Sequence, residues 1–281
     1  MFARLGSLAL MGALGVSACA SEDADFAARE PARDGGAAPA PAADAATPST
    51  DAGSAGCLDE LRALGVSFLP SAARGVVDAV KLTGPIDGVE LNAGTKRDPL
   101  EDPVACEFAK TLHAFAGFVK ARGFVRVGTL GSYCYRCCCQ WTQTNQCRTV
   151  SDPEPDCGSS GYSNHSWGRA LDVRYLTKAD GTTYDVANDA HFKKFTSTDT
   201  CVAGLAAQTG VSKELYALIC DLAASRMFKV LLTPNYNAAH RDHFHLDTGQ
   251  SGSFTSVTVK ALYASSVDHP SAHDDVCGRA P

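Results

Sequence analysis

The chain has 281 residues, 45% of them hydrophobic, enough for one sizeable core or two small ones. Its formal charge is −6 and no cluster of Lys or Arg interrupts that balance, which argues against nucleic-acid binding and against charge-driven docking on anionic lipid. Twelve cysteines at irregular spacing, without a pair of C-x2-C knuckles, read as disulfides and argue against a reducing cytosol.

In chain order, residues 1–18 read as a signal peptide: Arg4 in a short basic region, then an apolar run from Leu5 to Val16 too short to span a bilayer comfortably. The run ends V-S-A-C, which resembles the lipobox of bacterial lipoproteins. That resemblance implies cleavage before Cys19, acylation of its thiol and a membrane-anchored protein at the cell envelope, facing the periplasm or the cell surface. Anchoring by two or more acyl chains is stable where one is marginal. Ordinary cleavage within Ala18-Cys19-Ala20 is the alternative and leaves Cys19 incidental. Residues 19–56 are Ala, Pro, Asp, Ser and Gly, too poor in apolar side chains to offset their ordering entropy, and read as a disordered tether. Its expected average reach is roughly 30–35 Å.

The globular region is expected over 57–281. Leu58–Leu64 reads as a short helix ended by Gly65, and Val76–Leu82 and Val89–Leu91 as short strands. Between Pro103 and Arg122 the apolar residues Val104, Phe108, Leu112, Phe115 and Val119 form a helical stripe, with Gly123 after it. His113 beside that stripe reads as structural. Phe124–Leu130 alternates as a strand.

Residues 131–161 hold Cys134, Cys137, Cys138, Cys139, Cys147 and Cys157. A second metal cluster is one reading; a disulfide-stapled loop is the favoured one, placed to wall whatever site His165 serves. Arg169–Tyr175 and Thr182–Val186 read as a hairpin around Asp180-Gly181. Val186–Phe195 reads as helical with His191 on its surface. Ser212–Arg226 reads as a helix capped by Ser212, with Glu214 in its first turn. A buried strand, Met227–Leu232, leads to the histidine-rich stretch; Phe254–Val259 reads as a further strand, and His269, His273, Asp274 and Asp275 as a solvated tail.

Chemistry concentrates in two stretches. His240–Asp247 reads H-R-D-H-F-H-L-D, and if Phe244 and Leu246 pack inward, His243 and His245 share the opposite face. Ser163–Asp172 reads S-N-H-S-W-G-R-A-L-D, with small residues at Gly168 and Ala170 on the side that carries Asp172. A strand running straight from His165 would put Asp172 on the other side, so the chain must turn near Gly168. His165, Asp172 and one of the later histidines then supply three N/O ligands and leave an open position, the pattern of a catalytic zinc site.

H-x6-D followed by a distal H-x-H resembles the signature of LAS-type zinc peptidases, the D-alanyl-D-alanine carboxypeptidases and murein endopeptidases. Within that group the chain most resembles the bacterial extensin-like C-terminal domain family. The resemblance runs over C-L-D-E-L-R-A-L-G-V-S-F, D-P-V-A-C-E-F-A, G-S-Y-C-Y-R, S-N-H-S-W-G-R-A-L-D-V and N-A-A-H-R-D-H-F-H-L-D. It makes 131–161 an insertion.

The fold it implies is α+β: a small antiparallel sheet carrying a zinc site on one face, with helices packed on the other. It also implies one zinc ion held by His165, Asp172 and His245, and hydrolysis of peptidoglycan stem or cross-link peptides. Asp242 matches the acid-x-x-His of the carboxypeptidases and His243 the first His of the endopeptidases' H-x-H. His240 fits the longer H-x-x-H-x-H. Asp242, His243 and His240 are therefore the candidate catalytic residues; strand alternation alone favours His243 as the base. Arg136 and Arg241 are candidate clamps for a substrate carboxylate. Two other readings stand beside the enzyme: a non-catalytic zinc-containing wall-binding module, and a disulfide-rich adhesin that leaves the ligand set unexplained.

Overall fold

The computed structural model describes residues 54–96, 98–137, 147–157, 161–193, 201–236, 238–249 and 277–278. The leader, Cys19, the tether as far as residue 53, Phe254–Val259 and His269, His273, Asp274 and Asp275 lie outside them; the tether expected over 19–56 ends earlier, because a helix already begins at Ser54. Four helices and eleven strands run in the order α1 (Ser54–Ala63), β1 (Phe68–Pro70), β2 (Ala79–Leu82), β3 (Glu90–Ala93), β4 (Val104–Ala105), α2 (Cys106–Lys120), β5 (Phe124–Gly131), β6 (Tyr162–Ser163), β7 (Ala170–Lys178), β8 (Thr183–Asp185), α3 (Cys201–Ala207), α4 (Gly210–Ser225), β9 (Val230–Leu232), β10 (Phe244–Asp247) and β11 (Cys277–Gly278). Single 3-10 turns occupy Asn164–Trp167 and Ala238–His240. Among these residues no helix is long and apolar enough to cross a membrane.

The class is α+β as expected, but the main sheet is mixed rather than purely antiparallel. Its order is β3-β5-β7-β10-β9, with β8 paired to the later half of β7. β3 and β5 run parallel while the other pairs are antiparallel. The reason lies in the connection: the chain reaches β5 from β3 through α2, and parallel neighbours need such a crossover. A smaller sheet, β1-β2-β4, and the pair β11-β6 complete the strands.

Apolar residues at helical spacing bury one side of α2 (Phe108, Leu112, Phe115, Val119) and of α4 (Leu215, Leu218, Ile219, Leu222). They share a single core with Val127 of β5, Leu171, Val173 and Leu176 of β7, and Phe244 and Leu246 of β10. Phe228 meets Phe108 and Phe115 edge-on, and Phe192 stacks on Tyr216 while its edge meets Phe244. Cys57–Cys106 ties α1 to the start of α2, and Cys201–Cys220 ties α3 to α4.

Four local expectations fail, two in the segment after β8 and two at the start of α4. The segment after β8 is a run of turns through Phe192, not a helix. Asp185 Oδ1 accepts from Ala187 N and Asn188 Oδ1 from Ala190 N, so short polar side chains satisfy the amides a helix would have used. His191 is half-buried rather than a surface residue: its Nδ1 accepts from Asp185 N. Ser212 lies inside α4, whose N-cap is Thr209; its hydroxyl joins Gln208 to Lys193 N. Glu214 falls beyond the first turn and binds Lys178 and the Tyr184 hydroxyl.

Candidate metal centre

The centre starts from the register of β7 and β10. Phe244 faces Val173 and Leu246 faces Leu171 in the core, so the intervening pair, His245 opposite Asp172, stands on the other face. A one-residue slip would exchange these sets, so burial of Phe244 and Leu246 holds His245 and Asp172 in place. His245 Nδ1 lies 2.9 Å from Asp172 Oδ1.

His165 comes from a different kind of element. Ser163 Oγ accepts from His165 N at 3.3 Å, opening the 3-10 turn, and Gly168 closes it with φ 61°. A Cβ at Gly168 would stand 2.8 Å from Ala105 N, so close approach as well as conformation calls for glycine. The chain turns there, and β7 begins at Ala170.

The cysteine-rich segment packs around this turn. Ser166 Oγ accepts from Arg136 N at 2.9 Å, and its proton is shared by the carbonyls of Cys134 (3.2 Å) and Arg136 (2.9 Å). Trp167 meets Tyr135 and Tyr162 edge-on, and both phenols donate to Glu154, which also pairs with Arg74. Cys134–Cys147 and Cys137–Cys157 are disulfides, the stapled-loop reading; Cys138 and Cys139 lie outside the described residues.

His165 Nε2 reaches 3.3 Å from both Asp172 Oδ2 and His245 Nδ1. Donor atoms of His165, Asp172 and His245 all lie within 4.8 Å of one another, a group able to hold a metal ion. The side chains of His165 and His245 are 5% and 4% exposed, that of Asp172 15%, which leaves the cluster a limited opening to solvent. Burial works against charge on Asp172, but the His165 and His245 imidazoles hold its carboxyl well below the usual range. Burial likewise opposes charge on His245, yet hydrogen bonds to Asp172 and Asp247 outweigh it and push its pKa up to about 10. Two imidazole nitrogens and one carboxylate are donor types able to hold a metal ion.

The other sequence candidates gather beside it. His243 directly precedes β10, with Nε2 3.4 Å from Asp172 Oδ1 and Nδ1 2.9 Å from Asp242 Oδ1. His240 packs its ring against those of Tyr236, His243 and His245, at centroid distances of 5.4, 5.3 and 5.6 Å. Burial, with His245 and His243 adding to it, lowers the His240 pKa to about 3, so its ring is neutral at pH 7. Arg136 meets the turn through its backbone, and Arg241 is exposed.

Two residues in the surroundings were not singled out from sequence. Arg174 Nη1 lies 3.5 Å from Asp242 Oδ2 while its Nε donates to Asp185 at 3.1 Å. Asp247 is fully buried; its Oδ2 is 2.9 Å from His245 Nε2 and its Oδ1 accepts from Gly249 N at 2.8 Å. The available signal was strand alternation: Arg174 is two positions from Asp172, and Asp247 two from His245.

Comparison with curated proteins and with solved structures returns no match. A family model described as Extensin-like protein C-terminus matches residues 55–257, which takes in every residue of this centre, and the chain belongs to that family.

Proposed function

We propose that the chain is a zinc-dependent peptidase that hydrolyses peptidoglycan stem or cross-link peptides at the bacterial cell envelope. The observation that carries it is the buried convergence of His165, Asp172 and His245 with His243 at its rim. The substrate class rests on the likeness of H-x6-D and H-x-H to the LAS-type peptidases. The anchored location rests on the lipobox-like V-S-A-C and on the disulfides, which favour an oxidising compartment.

His165 and His245 would hold zinc through Nε2 and Nδ1, and Asp172 through its carboxylate. Zinc bound there supplies a Lewis acid and an acidified water. His243 takes a proton at Nε2, the nitrogen that faces Asp172, and its Nδ1–H donates to Asp242. Arg174 holds the other oxygen of Asp242, so Asp242 orients the base instead of replacing it. His240, neutral at pH 7, offers a ring nitrogen to substrate.

The test is to incubate the purified protein with muropeptides, with and without chelator, and to identify products by mass spectrometry. Cleavage should depend on zinc, and the zinc content should be about one per chain. His243→Ala should keep zinc and lose about 10²–10⁴-fold in turnover, and Asp242→Asn about 10–100-fold. Zinc-replete wild-type protein that binds murein without cutting any muropeptide would overturn the enzyme in favour of a binding module.

A further inference from the structure

Asp247 is the most completely buried acid near the centre, at 0% exposure, and the one ionisable group it meets among the described contacts is the His245 imidazole. A buried carboxylate needs hydrogen bonds, and Asp247 has two with different partners. Oδ2 lies 2.9 Å from His245 Nε2, and a carboxylate there can only accept; Oδ1 receives Gly249 N–H at 2.8 Å. The carboxylate is further fixed by its strand. Asp247 is the last residue of β10, its carbonyl accepts from Lys229 N at 2.8 Å, and it stands opposite Ala170, whose small side chain leaves space on that face.

Gly249 holds the second point of the clamp. It sits at φ 65°, the left-handed region that favours glycine, and that conformation brings its amide back onto Asp247. The resulting chain of contacts, Gly249 N–H to Asp247 to His245 Nε2–H, leaves His245 Nδ1 as the nitrogen that faces Asp172 and His165.

We infer that Asp247 is the positioning residue of the centre: it selects the Nε2–H tautomer of His245, aims the ring, and so keeps Nδ1 unprotonated for the metal. H-x-D-x-G, His245 to Gly249, is then one functional unit spread over both nitrogens of a single ligand. This rests on the metal-site reading above. The chemistry is specific to a carboxylate. Asparagine has one acceptor oxygen for two donors, so it must either face its NH2 to Gly249 N–H or donate it to His245 Nε2. The second arrangement moves the ring proton to Nδ1 and blocks the ligand.

Two measurements test it. In wild-type protein loaded with zinc, long-range 1H–15N spectra of the histidine rings should show His245 protonated at Nε2 and ligated through Nδ1. The opposite assignment overturns the inference without requiring any variant to fold. In chelator competition, Asp247→Asn should bind zinc about 10–100-fold more weakly than wild type, and its cobalt(II) form should show an altered visible spectrum. Affinity within twofold of wild type and an unchanged cobalt spectrum would overturn the assignment. The metal-site reading fails separately: wild-type protein that takes up no zinc, or zinc uptake unchanged in His245→Ala, removes the site itself.

Discussion

Asp172 and His245 sit opposite one another on paired strands whose far face is the main core, whereas His165 sits on a single 3-10 turn backed by a second, smaller apolar cluster of Tyr135, Cys137, Cys157, Tyr162 and Trp167. The strand side is positioned by burial and by the fixed two-residue period of a strand. The turn side is positioned by two serine hydroxyls, one glycine, two disulfides and a carboxylate shared between two phenols. Two members of the cluster thus belong to the scaffold and the third to a disulfide-stapled segment, so perturbation should separate them.

The largest effect is expected on the strand side. Leu246→Ala, at a position 1% exposed, should cost about 2–5 kcal/mol of global stability in denaturant unfolding. If stability held while zinc affinity collapsed, the strand pair would not be the scaffold described here. Next, replacing Cys137 and Cys157 by Ser opens a loop of sequence separation 20 and should remove about 3 kcal/mol from its segment. Hydrogen exchange should then rise over residues 162–168 and stay slow over 170–178 and 244–247. Equal loosening of both regions would erase the distinction.

Gly168→Ala should cost roughly 1–3 kcal/mol, since alanine at φ 61° is strained and its Cβ would meet the Ala105 amide. Zinc titration should weaken with it; unaltered binding would mean His165 finds its position without the turn. The smallest effect is an acid one. Hydrogen bonds from Tyr135 and Tyr162, ahead of the Arg74 charge, lower the Glu154 pKa from its ordinary value near 4.5 to about 2. A depressed carboxylate contributes stability fully above its unfolded pKa and loses it as pH falls through the folded value. Exchange near Tyr162 should therefore begin to rise below about pH 4.5 and level off near pH 2, with Glu154→Gln abolishing that dependence. A pH-independent profile in the wild type would remove Glu154 from the turn's support.

Much of the site was legible because it is written at short range. H-x-H ahead of an apolar partner declares one face of a strand, and H-x6-D with a glycine between declares a turn that lets both residues meet. His165, Asp172 and His245 do converge, with His243 and Asp242 in contact beside them. The helix expected over Val186–Phe195 failed because apolar spacing says nothing about Asp185 and Asn188 taking the backbone amides for themselves.

By itself the sequence determined the stapled segment, the faces of β10 and β7, and the residue types that gather in the cluster, since each follows from local period, turn chemistry or composition, while the α+β class came with the family resemblance. Only the tertiary structure decided that β3 runs parallel to β5, that Arg174 reaches Asp242, and that Asp172 stands against His245. Those contacts join segments 36, 68 and 73 residues apart in the numbering. Their energy comes from burying α2, α4 and the sheet together, a property of the assembled core that no window of sequence contains.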